Sequence, residues 1–311
     1  MARPERGPWP HPYYETPSAH VDVAFDDAQG HRRRVRTHHK ELGAGPPMVL
    51  VHGLMTTSYS WRYVLEPLAA RYRVHALDLV GSGDTEKPPD LVYSVDNVAR
   101  FLCAYVREVS SEPVYLVGNS LGGLYCVAAL LRDAAIARRF VQMHSPGYPM
   151  ARTRLLHALL GWSAMRSVVA SVSHRWRRTF VARNQHYHRP DMVSEELVTE
   201  YASLFETREG AEVFVRILRE SVDPSEHAAI VAQLRARKAR GEHFPVETLL
   251  LYATEDAMVP PAFGSLWAED LPGSTLRWMK ETSHFVQCDA PEETVRLLLE
   301  FDEGATPASA T

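Results

Sequence analysis

The hydrophobic pattern of the chain changes period several times, and those changes divide it. Val21 to Phe25 alternates apolar and polar residues, a turn follows at Asp26 to Gly30, and Arg32 to His39 resumes, which predicts an antiparallel hairpin at a sheet edge. Met48 to Val51, Arg73 to Leu77, Val114 to Val117 and Phe140 to Met143 are instead short, mostly apolar runs of the kind buried on both faces of a sheet. Between them a helical period predicts helices over Ser58 to Arg71, from a Ser94 cap to about Val109, and over Leu124 to Leu131. Trp61, Val64, Leu65 and Leu68 share one face of the first. Strands alternating with helices through short Gly-rich loops predict an α/β chain with helices on both faces of a mostly parallel sheet.

The alternation stops from Gly147 to Gly241, where the pattern is helical throughout, so this segment is expected to be a helical cap inserted over the carboxyl edge of the sheet. It resumes with strands at Val246 to Tyr252 and Thr275 to Met279 and helices around Phe263 to Glu269 and Pro291 to Phe301, bringing the strands to eight. The expected organisation is an extended arm over 1–20, a core over 21–146 and 242–302, the cap over 147–241, and a disordered tail over 303–311. The arm carries five prolines and is expected to be loosely attached.

The candidate chemistry lies where the strand at Val114 ends. Gly118-Asn119-Ser120-Leu121-Gly122 reads G-x-S-x-G between a predicted strand and a predicted helix, the setting of a nucleophile elbow. A serine on so tight a turn needs neighbours without side chains, and the helix start behind it supplies free N–H groups and a positive dipole end. The hydroxyl also needs a base, and the base needs a carboxylate to set its tautomer. In the order serine, acid, histidine, Asp256 follows the strand ending at Tyr252 and His284 follows the strand ending at Met279. Both leave the strand edge that carries Ser120, where open α/β sheets place their crevice. Glu255 is the alternative orienter; the position after the preceding strand offers His144 and Ser145 but no carboxylate. The backbone N–H groups of Leu54 and Leu121 are the candidate oxyanion donors, while His52 reads as a packing residue.

Composition narrows the partners. A net charge of −4 with 45% hydrophobic and 23% charged residues describes a globular chain and gives no reason to expect nucleic acid. The basic run His31 to Arg34 reads as a solvated edge strand. Three widely spaced cysteines, Cys103, Cys126 and Cys288, read as buried thiols of a reducing compartment. Met1 to His20 lacks the apolar segment of a secretory signal, and no run approaches the length of a membrane span, so a cytoplasmic protein is expected. No metal or organic cofactor is implied.

These residues together resemble the α/β-hydrolase superfamily over roughly residues 21 to 302. The segments His52 to Arg62, Asp78 to Asp84 with Lys87-Pro88, and His284 to Gln287 with Pro291-Glu292 resemble loops of haloalkane dehalogenases. Those enzymes, like epoxide hydrolases, attack with an aspartate where this chain has Ser120. They hold halide with an asparagine and a tryptophan where it has Leu54 and Leu121. The form Gly-Asn-Ser-x-Gly-Gly also resembles serine hydrolases that cleave carbon–carbon bonds of ring-fission products. The resemblance therefore implies a serine hydrolase forming an acyl-enzyme from a carboxylic ester, lactone or thioester. Carbon–carbon hydrolysis of a vinylogous diketone is the alternative, and a non-catalytic ligand-binding protein on the same fold the rival class.

One stretch of the cap bears on the substrate. Ala151 to Pro190 holds eight arginines (152, 154, 166, 175, 177, 178, 183 and 189) and no acidic residue, interleaved with leucine, valine and tryptophan. The plain reading is a set of packed helices whose arginines pair with the acidic stretch Asp191 to Glu212. A sharper one is attraction of an anionic acyl substrate or an acidic carrier protein, and a third is a basic amphipathic helix at a membrane surface.

Overall fold

Side chains of a strand alternate between the faces of a sheet, so a run that is apolar at every position needs cover on both sides. In β3 (Pro47–Val51), Val49 and Val51 join one buried cluster and Met48 and Leu50 join another across the sheet. β5 (Val114–Asn119) divides in the same way, Val114 and Leu116 against Tyr115 and Val117. The computed structural model describes residues 5–304. The other strands are β1 (Ser18–Asp26), β2 (Arg32–Leu42), β4 (Arg73–Leu77), β6 (Ala137–Met143), β7 (Glu247–Ala253) and β8 (Thr275–Met279). All eight form one sheet in the order β1-β2-β4-β3-β5-β6-β7-β8, antiparallel at β1–β2 and β2–β4 and parallel elsewhere.

Of the helices, α2 (Val95–Val109), α3 (Leu121–Arg132) and α10 (Ala262–Asp270) cover one face, and α1 (Leu65–Ala69), α11 (Val286–Asp289) and α12 (Pro291–Asp302) the other. Ser94 caps α2 by accepting the Asn97 N–H at 3.2 Å. The helix expected over Ser58 to Arg71 is broken: a 3₁₀ turn, Ser58–Trp61, is followed by α1. Pro67, inside α1, has no N–H to offer the Tyr63 carbonyl, and the Ser58 N–H, free at the start of the turn, donates to Asp78 Oδ1 at 2.7 Å.

Between β6 and β7 the chain is helical: α4 (Ala151–Leu159), α5 (Ser163–Arg175), α6 (Arg177–Asn184), α7 (Glu195–Ala202), α8 (Arg208–Ser221) and α9 (Pro224–Ala239). Phe180, Phe205 and Phe214 pack ring on ring within this insertion, with centroids 4.8 to 6.0 Å apart. Buried hydroxyls tie it to the core: Tyr59 donates to Glu196 at 2.7 Å and Tyr125 to Ser221 at 2.6 Å.

The arm is not loosely attached over its described part. Trp9 meets Tyr63 edge-on at 5.2 Å, His11 lies 2.8 Å from Glu196, and Tyr13, buried, shares a 2.8 Å hydrogen bond with Ser58. Its aromatic rings supply burial, and the prolines between them limit what the unfolded segment can lose in entropy. Residues Ser18 to His20 already belong to β1. The tail expected at 303–311 lies outside the described residues from 305 onward.

Candidate active site

The centre of the sheet delivers Ser120. β5 ends at Asn119, α3 begins at Leu121, and Ser120 between them has φ +55°, a left-handed conformation that costs a side-chain-bearing residue energy. Close approach of backbones makes this possible. A Cβ on Gly122 would lie 2.3 Å from the His52 carbonyl oxygen, and one on Gly53 would lie 2.8 Å from Ser120 Cβ. The Ser120 N–H donates to Met143 O at 2.7 Å, which holds the elbow to the end of β6. Ser120 is half-buried, at the end of the strand.

The loop after β8 carries His284. Asn119 Nδ2 donates to the His284 carbonyl at 3.1 Å, so the residue before the serine fastens the histidine loop to the elbow. Ser283 N–H donates to Asp289 Oδ2 at 2.9 Å, and the His284 ring is buried against Phe285 at 5.0 Å. From the loop after β7, Asp256 Oδ2 lies 2.7 Å from His284 Nδ1. A carboxylate can only accept, so Nδ1 carries the proton and Nε2 is left as the basic nitrogen. Among the described residues no hydrogen bond joins the Ser120 hydroxyl to His284 (such contacts tighten on substrate binding). The structure thus brings Asp256 to His284 directly and ties the elbow to the His284 loop through the Asn119 side chain. Glu255 points away, exposed, to His188 at 3.1 Å.

Sequence reasoning passed over His144, the residue directly after β6. It is fully buried, has φ +49°, and places Nδ1 3.0 Å from the same Asp256 Oδ2. Its Nε2 accepts the Ala253 N–H at 2.9 Å, which leaves the ring proton on Nδ1, toward the carboxylate. Asp256 Oδ1 meanwhile accepts the N–H groups of Met258 at 2.6 Å and Val259 at 3.0 Å. Burial acts to raise the Asp256 carboxyl, but His284 and His144 outweigh it and hold it well below the usual carboxylate range. Burial lowers the His144 pKa, keeping that ring neutral. Its signal was positional: a histidine at the end of the strand beside the elbow strand.

Two amides near the serine, one in the chain and one in space, lack partners among the described residues. Neither Leu54 N–H nor Leu121 N–H donates to a protein group among the described residues. Leu121 opens α3, so its N–H has no intrahelical acceptor and adds the dipole of the helix start. His52 shapes the loop from below, Nδ1 donating to Gly53 O at 2.7 Å and Nε2 accepting Leu79 N–H at 3.0 Å. Leu54 and Leu121 also line an enclosed space of about 20 Å³ with Tyr93, Leu204, Phe214 and Ile217, mostly apolar. The insertion contacts the loops around the site. Gln185 Nε2 donates to Met55 O at 3.3 Å, Tyr187 packs on Phe285 at 4.9 Å, and the His188 and Arg189 N–H groups bind Asp289.

Among the described residues, two side-chain sets have metal-ligand spacing. One is His144, Asp256 and His284, whose histidine Nδ1 atoms lie 3.0 and 2.7 Å from the same Asp256 oxygen. The other is His39, Glu41 and His75, with Glu41 Oε2 3.5 Å from His39 and 3.7 Å from His75. The remaining ring nitrogens of that pair lack the hydrogen-bond acceptors that normally orient metal-bound histidines.

The chain belongs to the alpha/beta hydrolase fold family, whose match spans residues 46–291. Among curated relatives, a 2-hydroxy-6-oxo-2,4-heptadienoate hydrolase of Pseudomonas putida is 29% identical over 275 residues, 86% of this chain and 92% of the relative. An uncharacterized hydrolase of Bacillus subtilis is 25% identical over 248 residues, 79% and 85% of the two chains. Solved structures of similar fold include a haloalkane dehalogenase of Bradyrhizobium elkani, with TM-score 0.74, 22% identity and coverage of 94% and 99%. A thermophilic esterase of Thermogutta terrifontis gives TM-score 0.72 at 18% identity, covering 92% and 99%. An epoxide hydrolase is among the neighbours too. The protein is a hydrolase of this fold.

Proposed function

We propose that the chain is a serine hydrolase that cleaves a carboxylic ester, lactone or thioester through an acyl-enzyme. Ser120 is the nucleophile, His284 the general base and then acid, and Asp256 its orienter. The observation that carries this is the 2.7 Å Asp256–His284 pair on a loop fastened by Asn119 to a strained serine. His284 Nε2 takes the hydroxyl proton as Ser120 Oγ adds to the acyl carbon, and the carbonyl oxygen becomes an anion. The Leu54 and Leu121 amides, free of other partners, are suited to receive that anion. Collapse expels the leaving group with the proton returned by His284, and water deacylates by the reverse sequence. His144 is a positioning residue: it holds Asp256 in place from the side opposite its backbone donors. The helical insertion acts as a cap over this site.

A second reading is carbon–carbon hydrolysis, favoured by the activity of the Pseudomonas putida relative and its 92% coverage. A panel of p-nitrophenyl esters and lactones beside a coloured ring-fission dienoate tests both. Turnover of esters with slow dienoate hydrolysis supports the first reading, and the opposite ranking the second. Labelling by a fluorophosphonate that vanishes in Ser120→Ala is expected under either. An unlabelled wild-type protein would overturn both.

A further inference from the structure

The arginines at the start of the insertion do not find the carboxylates that would neutralise them. Of the eight, only Arg178 with Glu195 and Arg189 with Asp191 form ion pairs among the described residues. Arg166 donates to the Leu160 and Gly161 carbonyls at 2.9 Å each, where the chain turns by 103° between α4 and α5, and Arg152 donates to Ala257 O at 3.2 Å. Arg154, Arg175, Arg177 and Arg183 have no carboxylate within ion-pair distance among the described residues.

The same two helices carry most of the exposed apolar surface. Nine large apolar side chains are exposed among the described residues, and six of them (Leu155, Leu159, Trp162, Val168, Val172 and Trp176) lie on or beside α4 and α5. Leu155 and Leu159 are four apart, and so in turn are Val168, Val172 and Trp176, so each set is a stripe on one helix face. Neighbouring positions on the same helices are already used: Leu160 and Ala170 are buried in the core, and Leu156, Met165 and Val169 pack against it. Trp162 is 70% exposed and Trp176 58%, well beyond what isolated surface residues need. The combination selects the partner. Tryptophan and arginine are enriched at protein–protein contacts too, but the buried core of such a contact is depleted of charge, whereas here arginines without acids flank the apolar stripes on both helices. Apolar and tryptophan stripes flanked by arginine, with no acid from 151 to 190, are the composition of helices that lie in the headgroup boundary of anionic lipid. No single helix among the described residues is long and apolar enough to cross a membrane; α4 and α5 reach that length only as a pair bent by 103°, and their arginine-flanked stripes suit helices lying along the surface.

We propose that α4 and α5 dock this protein on an anionic lipid surface, the apolar stripes entering the boundary and the unpaired arginines meeting lipid phosphates. Arg152, in the first turn of α4, donates to the carbonyl of the residue after Asp256, so the docked helices lie beside the loop that carries Asp256. The docking does not rest on the hydrolase reading. The test is cosedimentation with phosphatidylcholine vesicles and with vesicles that also contain phosphatidylglycerol, across a salt series. Binding to the anionic vesicles alone, weakening with salt, with a blue shift of tryptophan emission, is expected. Each arginine near such a surface contributes about five-fold, so Arg154→Gln/Arg175→Gln/Arg177→Gln should bind about 100-fold more weakly. Trp162→Ser/Trp176→Ser should lose about 10-fold. Both variants should keep the circular-dichroism spectrum and soluble-ester turnover of the wild type, and Ser120→Ala should bind vesicles unchanged. Equal binding to neutral and anionic vesicles, or full binding by the arginine variant, overturns the proposal. So does a dimer abolished by the tryptophan substitutions, or capture of holo acyl carrier protein without vesicle binding.

Discussion

Replacing Asp256 by asparagine removes one charge and almost no volume, so its effect is set by the four contacts of the carboxylate. Oδ1 accepts two backbone N–H groups, from Met258 and Val259, and Oδ2 faces Nδ1 of both His284 and His144. An asparagine has one acceptor oxygen, and the two backbone donors cannot change their nature, so the oxygen takes the Oδ1 place and the NH₂ group faces two imidazoles. His144 cannot yield, because its Nε2 must stay bare to accept the Ala253 N–H. His284 therefore changes tautomer: Nδ1 accepts and Nε2 carries the hydrogen, unable to receive the serine proton. A wrongly protonated base of this kind lowers kcat by about 10⁴, or about 5 kcal/mol of barrier, with KM nearly unchanged. Single-turnover acylation by a soluble chromogenic ester reads this directly, and fluorophosphonate labelling should slow by a similar factor. Glu255→Gln is the control and should change kcat less than about two-fold, since Glu255 is exposed and paired with His188. A loss under 10-fold for Asp256→Asn, or an equal loss for Glu255→Gln, would refute the assignment.

Four further outcomes are expected. His144→Ala leaves the Ala253 N–H unmet and Asp256 short of a donor, so it should cost about 1–3 kcal/mol of stability and about 10-fold in kcat; His144→Gln, able to accept and donate at the same two places, should restore most of the kcat, and a rescue of stability without rescue of kcat would show a merely structural role. Gly122→Ala drives a Cβ into the His52 carbonyl and should lower unfolding stability by more than about 3 kcal/mol in urea titration, an unchanged midpoint counting against the elbow geometry. Removal of the arm before Pro17 exposes the Tyr13 site and should cost about 2–4 kcal/mol, read from the same midpoint. Finally, burial opposes ionisation of Asp256 but the two histidines prevail, so its folded-state pKa lies below the unfolded value and its stabilising contribution is present above that value. The stability gap between wild type and Asp256→Asn should be constant above pH about 5 and shrink below pH about 4; a gap that widens on acidification would contradict it.

How much of this was legible beforehand depended on range along the chain. Local rules sufficed for the strands, whose unbroken apolar runs need two covered faces, and for the elbow, whose glycines sit within two residues of Ser120. Chain order and strand ends then singled out Asp256 and His284, because a parallel sheet sends the ends of its strands to one edge. The break between Trp61 and Leu65 and the docked arm were missed. Each depends on partners far along the chain, Asp78 for Ser58 and Glu196 for His11. The amino-acid sequence alone determined the α/β architecture and nominated serine, acid and histidine, since periodicity and turn chemistry act over a few residues. Only the tertiary structure decided that His144 shares the carboxylate of Asp256 and that, among the described residues, Leu54 and Leu121 keep their amides free and most arginines of the insertion stand without acids. Those facts are distances between side chains on separate elements, set by how whole helices and strands pack, and no local pattern encodes them.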